Sequence, residues 1–181
     1  MQELRVVVLF GLSVCPIGIG AQSPSAPAMP TVTFYANGTF VGGLVPGSRS
    51  VPFQGCIFDG QQEVGCATWG EFMSVQMTPG VHVFSASLSS KHPAGNSQLT
   101  MTLEPAKNYF VRAVEEDHPF LHVVGSSQGR LDVVNCEVAH DETRKFAWIR
   151  DGKWKPVPNK NMGPLFKQAA LADMPVCPST P

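Results

Sequence analysis

The sequence has little charge of either sign. Only 15% of its 181 residues are charged, against about 25% in an average soluble domain, and 13 basic against 14 acidic side chains leave a formal net charge of −1. No segment concentrates Lys and Arg, so we expect no nucleic-acid partner. The apolar fraction of 43% excludes a disordered chain, and the length leaves room for one domain with a substantial core.

The spacings typical of metal and catalytic sites are also missing. No Cys-x-x-Cys pair is present to chelate zinc, and the acidic run at 115–117 lacks the alternating spacing and the glycine of a calcium-binding loop. Ser127 lies in a G-x-S-x-G match, but the residues after it are predicted to form a strand rather than the helix of a hydrolase elbow. We therefore predict no enzyme activity, no catalytic residues and no cofactor.

The histidines leave one metal hypothesis open. His82, His92 and His118 fall on neighbouring predicted strands and loops, and they would have to converge to hold an ion. A metal-dependent enzyme that uses these three residues is the weakest alternative function. We predict surface histidines and no metal site.

No apolar run is long enough to span a membrane as a helix. The longest, residues 6–20, falls short of the roughly 20 residues that a span needs, follows a basic residue and precedes small residues, as in a signal peptide. We predict a signal peptide over residues 1–21, cleaved after Ala21, and a periplasmic or secreted protein with no transmembrane span after cleavage. Two alternatives are a buried strand at 6–10 and a lipoprotein anchored at Cys15, which no small residue precedes.

Removal of this leader would leave an even number of cysteines, as expected in an oxidising compartment: Cys56, Cys66, Cys136 and Cys177. Three pairings are formally open. If the chain reverses near Gln61, Cys56 and Cys66 face each other across two strands within disulfide distance. The preferred pairing is therefore Cys56 with Cys66 and Cys136 with Cys177.

Short segments with period-two alternation of apolar and polar residues make up most of the mature chain. They follow a flexible, Pro- and Ser-rich linker at 22–30, and Asn-Gly, Asp-Gly and Pro-Gly turn signals separate several of them. The predicted strands lie at 31–35, 51–58, 71–77, 81–88, 97–103, 109–114, 120–124 and 131–134. They predict an all-β domain over 31–135, an antiparallel β-sandwich of seven to eight strands, immunoglobulin- or prealbumin-like.

The C-terminal extension, residues 136–181, has a different pattern. A small hairpin is predicted at 147–157 around Asp151-Gly152, and a short helix at 164–173 that starts at a proline. Trp148 and Trp154 flank the hairpin turn, where they would form an aromatic platform for a carbohydrate or peptide, or simply pack across the strands.

Four motifs resemble one family of exported bacterial domains. IFDG at 57–60, GEF at 70–72, MTPGVH at 77–82 and NYFVR at 108–112 resemble the DUF2846 type and, more loosely, PEGA-like domains. The resemblance implies a β-sandwich at the cell envelope and brings no assigned activity. We therefore expect a non-enzymatic envelope domain that binds or braces another envelope component, a protein or a glycan. The alternative is a carbohydrate- or peptide-binding module that uses Trp148 and Trp154.

Overall fold

The computed structural model describes residues 28–37, 54–88, 98–116, 128–145 and 154–178. These residues form ten strands and one α-helix, in the order β1 (Thr31–Ala36), β2 (Gln54–Asp59), β3 (Gln62–Thr68), β4 (Glu71–Gln76), β5 (Gly80–Ser87), β6 (Gln98–Leu103), β7 (Asn108–Glu116), β8 (Gln128–Val134), α1 (Cys136–Lys145), β9 (Lys155–Pro156) and β10 (Ala170–Leu171). The predicted all-β class is confirmed. The predicted signal peptide and the predicted strand at 120–124 lie outside the described residues.

The strands form two facing sheets. The first has the order β10-β4-β1-β7-β8, with β9 also paired to β4, and the second has the order β3-β2-β5-β6. Apolar side chains from both sheets meet between them, and the rings of Phe34 and Phe84 are in edge-on contact at 5.1 Å. The alternation read from the sequence therefore places one face of each strand in a shared core.

Strand β1 is buried on both faces. Val32 and Phe34 face the core between the sheets, while Tyr35 contacts a second apolar cluster with Phe110 of β7 and Ala139 of α1. The helix therefore covers the outer face of the first sheet. This explains why a strand with six buried residues lies at the centre of that sheet.

One central pairing of the sandwich is parallel. Strand β1 pairs antiparallel with β4 on one side and parallel with β7 on the other, with Phe34 opposite Val111. The sequence predicted antiparallel strands throughout. Side-chain alternation has the same period in both directions, so it carries no information on strand polarity. The intervening residues, which include the second sheet, supply the long connection that a parallel pair requires.

The predicted C-terminal helix is placed wrongly. Residues 164–169 form turns, and Ala170 and Leu171 pair with the edge of β4. The only α-helix among the described residues is α1, where the Asn135 side chain accepts a hydrogen bond from the backbone N–H of Val138 at 2.8 Å. A short segment gains little as an isolated helix, whereas the edge of β4 offers it backbone partners.

The second half of the predicted hairpin also joins β4. Lys155 donates a backbone hydrogen bond to Gly70, and Val157 donates one to Phe72. The first half, with Trp148, lies outside the described residues. The C-terminal extension thus adds two short strands to the first sheet. No helix among the described residues is long and apolar enough to cross a membrane.

Candidate functional site

The four cysteines beyond the predicted leader form the two predicted disulfides. Cys56 and Cys66 lie opposite each other on β2 and β3, because the chain reverses at Gly60, which has the left-handed φ of 58°. Cys136, the first residue of α1, is bonded to Cys177 near the C-terminus. Cys56 is only 1% exposed and Cys66 is half-buried, whereas Cys136 and Cys177 are both half-buried. The second disulfide is therefore the more accessible of the two.

A cluster of polar side chains joins α1 to the first sheet. Glu142 of the helix accepts hydrogen bonds from the Tyr35 hydroxyl at 2.6 Å, from Nδ2 of Asn37 at 3.2 Å and from a guanidinium nitrogen of Arg112 at 2.6 Å. Burial, followed by the hydrogen bond to Glu142, raises the pKa of Tyr35 well above its ordinary value of 10.0. Tyr35 therefore stays protonated and donates to the carboxylate.

Arg112 also reaches a second carboxylate. It donates to Asp132 at 3.1 Å, and Arg130 donates to both oxygens of the same group. Burial raises the pKa of Asp132, but the hydrogen bonds from Arg130 and Arg112 outweigh it and lower the pKa below its ordinary value. Burial likewise lowers the pKa of Arg112, and the contacts with Asp132 and Glu142 outweigh it and raise that pKa.

This network fits a docking role better than a catalytic one. Both carboxylates accept from guanidinium groups, and Tyr35 is held in its neutral form, so none of these groups is left as a free base or nucleophile. Two buried atoms, Oδ1 of Asn37 and Nε of Arg112, have no hydrogen-bond partner among the described residues. The network attaches the helix to a strand that is far away in sequence.

His82 is held in place by two acceptors. Its Nδ1 lies 2.7 Å from a carboxylate oxygen of Asp59, its Nε2 lies 2.9 Å from the carbonyl oxygen of Thr78, and its ring stacks on Phe84. Neither ring nitrogen is left free to bind a metal or to activate a nucleophile. His82 therefore fastens the turn between β4 and β5. His92 and His118, its partners in the metal hypothesis, lie outside the described residues, as does Ser127.

Trp154 packs edge-on against Tyr35. The ring centroids are 5.8 Å apart, and Trp154 belongs to the apolar cluster beneath α1. Its indole N–H is buried and has no partner among the described residues. This position matches the packing interpretation better than the aromatic platform. Trp148 lies outside the described residues.

An apolar cleft of about 560 Å³ opens where β8 ends and α1 begins. Val133 and Val176 in its wall are 52% and 82% exposed, so apolar side chains face solvent there. The lining includes Tyr109, Phe110, Val133, Val134, Cys136 and Val176. Ligand-binding clefts are lined mainly by apolar side chains, as this cleft is. The sequence did not predict it, because its walls come from three separate segments.

His140 is the residue near the cleft that sequence reasoning missed. The sulfur atoms of Cys136 and Cys177 and one ring nitrogen of His140 all lie within 4.8 Å of one another. Cys136 and His140 are separated by four residues on α1, so they share a helix face. The signal in the sequence is an asparagine, Asn135, that can begin a helix, followed by a cysteine and a histidine four positions apart.

No family model, curated protein or solved structure matches the chain. The resemblance of residues 31–135 to the DUF2846 type therefore remains a prediction.

Proposed function

We propose that this chain is an exported, non-enzymatic domain of the bacterial cell envelope that binds an apolar segment of another envelope protein. The apolar cleft at the start of α1 is the observation that carries the binding part of this proposal. Exposed valines beside the Cys136–Cys177 disulfide offer apolar surface that a partner would bury.

The two disulfides support export. Between them they join every cysteine that lies beyond the predicted leader, and structural disulfides persist in oxidising compartments. The described polar clusters support a non-enzymatic role, because the Glu142 network and His82 are each occupied by contacts within the protein.

Site-specific photo-crosslinking in the producing bacterium tests the binding proposal. A photoreactive residue at Val176, in the cleft wall, is expected to give a discrete adduct with a protein of the envelope fraction. The matched control is Val81, which is 69% exposed and does not line this cleft. Val133→Asp is expected to reduce the Val176 adduct at least about tenfold, because one central apolar contact is worth about 2 kcal/mol.

The outcomes separate the alternatives. Absence of an adduct at Val176, or the same adducts from Val176 and Val81, would overturn the proposal. Retention of the protein on peptidoglycan or a glycan array, lost in Trp154→Ala, would instead favour the carbohydrate-binding alternative. Cell fractionation with an antibody against the mature chain tests export separately.

A further inference from the structure

We propose that the Cys136–Cys177 disulfide is a redox-gated metal site. After reduction, its two sulfurs and His140 would bind one thiophilic divalent cation, with Zn²⁺ as the expected ion. This inference goes beyond the proposed function and does not require that a partner occupies the cleft.

The helix and the C-terminal segment bring the three ligand types together. Cys136 begins α1, His140 lies one turn further along the same face, and the C-terminal segment brings Cys177 beside them. All three ligand atoms lie within 4.8 Å of one another. Zinc bonds of about 2.3 Å to sulfur and about 2.1 Å to nitrogen separate tetrahedral ligand atoms by roughly 3.6 to 3.8 Å. Small side-chain rotations therefore suffice to close the site.

A hydrogen bond prepares His140 for this role. Its Nε2 lies 2.8 Å from the carbonyl oxygen of Pro175, and a carbonyl only accepts, so Nε2 carries the proton. In the neutral ring, Nδ1 then keeps its lone pair, and our proposal assigns this nitrogen to the metal. Metal-binding histidines characteristically donate their other N–H to a carbonyl or carboxylate in this way. The edge-on contact with Phe110, at 5.9 Å between centroids, further fixes the ring.

The site is open to solvent and favours thiolates. Cys136, His140 and Cys177 are all half-buried, and Cys136 lies in the wall of the apolar cleft. The N-terminal end of a helix carries a partial positive charge, which stabilises a thiolate on its first residue. Three protein ligands leave the fourth zinc position to water.

The Cys56–Cys66 disulfide offers an internal comparison. Cys56 and Cys66 lie near a carboxylate, that of Glu63, and no histidine joins their cluster. Cys56 is only 1% exposed, so a reductant can reach that bond only through the half-buried Cys66, whereas Cys136 and Cys177 are both half-buried. Reduction and metal binding are therefore expected at Cys136 and Cys177 first.

The chemistry balances with a dithiol as reductant. One thiolate of the dithiol attacks a sulfur of the Cys136–Cys177 bond and forms a mixed disulfide, which the second thiolate resolves. Two electrons pass to the protein, the dithiol becomes a disulfide, and Cys136 and Cys177 take up two protons. Binding of Zn²⁺ releases both protons and leaves two thiolates and a neutral imidazole around the ion.

Metal titration of the chain that carries Cys15→Ser, so that the four disulfide-bonded cysteines are its only cysteines, tests the proposal. Limited dithiol treatment is followed by alkylation and mass spectrometry to verify that Cys56 and Cys66 remain bonded. The reduced protein is expected to bind one Co²⁺ with thiolate charge-transfer absorption, and one Zn²⁺ should displace it. The oxidised protein should bind none. His140→Ala should weaken the affinity at least about tenfold, while Glu63→Gln should leave it unchanged.

Three results would overturn the proposal: no stoichiometric metal on the reduced protein, equal affinity in His140→Ala, or loss of the β-sheet circular dichroism signal when only Cys136–Cys177 is reduced. The double variant Cys136→Ser/Cys177→Ser should keep that signal and bind no metal. These measurements are independent of the crosslinking at Val176, so either proposal can fail alone.

Discussion

Tyr35 and Glu142, which are 107 residues apart, are joined by a hydrogen bond of 2.6 Å that runs from the phenol to the carboxylate. Tyr35 lies on the central strand of the first sheet, and Glu142 lies on the helix that covers it. The bond therefore fastens the first described strand to an element near the end of the chain. Its contribution to the free energy of unfolding can be measured, because Tyr109 offers a second tyrosine for comparison.

We expect Tyr35→Phe to lower the free energy of unfolding by about 1.5 to 3 kcal/mol, the range for a hydrogen bond to a charged group. The ring and its packing are retained, so the loss reports the hydroxyl. The matched control is Tyr109→Phe, whose exposed hydroxyl bonds, among the described residues, to backbone groups of Thr102 and Glu104. Urea denaturation of both variants checks this. An equal loss in the two variants would contradict the docking role of Glu142.

The raised pKa of Tyr35 makes part of the protein's stability sensitive to alkaline pH. Because its pKa in the folded protein is raised above the ordinary 10.0, the stabilisation that it contributes is present below about pH 10 and is lost as pH rises towards the folded value. Absorbance at the tyrosinate band should show that Tyr35 ionises only as the protein unfolds. This late phase should vanish in Tyr35→Phe and persist in Tyr109→Phe. Ionisation of Tyr35 in the folded protein near pH 10 would refute the prediction.

Local patterns predicted β1, β2 and β4 to β8, but not β3 or β10. The segment at 31–35 alternates polar and apolar residues that are all β-branched or aromatic, and Asp59-Gly60 supplies the turn that sets Cys56 opposite Cys66. These features depend only on residues close in sequence, so a single sequence carries them.

Features that depend on distant partners were missed. The sequences of β1 and β7 do not show that the two strands pair in parallel. The helix α1 has only a small apolar face, with Ala139 buried and Val138 exposed. Long-range contacts such as the hydrogen bond from Arg112 to Glu142 hold this helix in place. Its own sequence therefore shows only a weak helical pattern. Because the helix was missed, the approach of His140 to the second disulfide was missed as well.

Asp132 should contribute an acid-sensitive part of the stability. Its pKa in the folded protein is lowered from the ordinary 3.8, so its contribution is present above about pH 4 and is lost as pH falls through the folded value. In Asp132→Asn, the free energy of unfolding should fall less steeply below pH 4 than in the wild type. Glu104→Gln, which alters an exposed pair with Lys107, is the control. Parallel pH profiles for the wild type and Asp132→Asn would rule out this contribution.

Gly163 lies where no side chain fits. A Cβ atom there would fall on the backbone carbonyl of Glu63, while the Gly163 N–H donates to Val64 at 2.9 Å. We expect Gly163→Ala to cost about 3 kcal/mol or more, since backbone must move to make room. Gly60→Ala meets only open space at a left-handed φ of 58°, so about 1 to 2 kcal/mol is expected. Thermal denaturation should rank the two variants in this order, and the reverse order would contradict the close approach.

The two disulfides close loops of different size. Their sequence separations are 10 and 41 residues, which correspond to about 3 and about 4 kcal/mol of stabilisation through chain entropy. Cys136→Ala/Cys177→Ala should therefore destabilise the protein more than Cys56→Ala/Cys66→Ala in urea. A larger loss for the short loop would contradict the entropic account and point to packing around the buried Cys56.

The parallel partner of β1 has a consequence for how the polypeptide matures. Strand β1 lies between β4 and β7, and β7 ends only at residue 116 of 181. A polypeptide that emerges with its N-terminus first carries β1 with one bare edge until then, and such non-local pairing is slow. Bare apolar edges recruit other strands. The first sheet can therefore close only after residue 116 has emerged, so the N-terminal strand waits for more than half of the polypeptide before it has both of its neighbours.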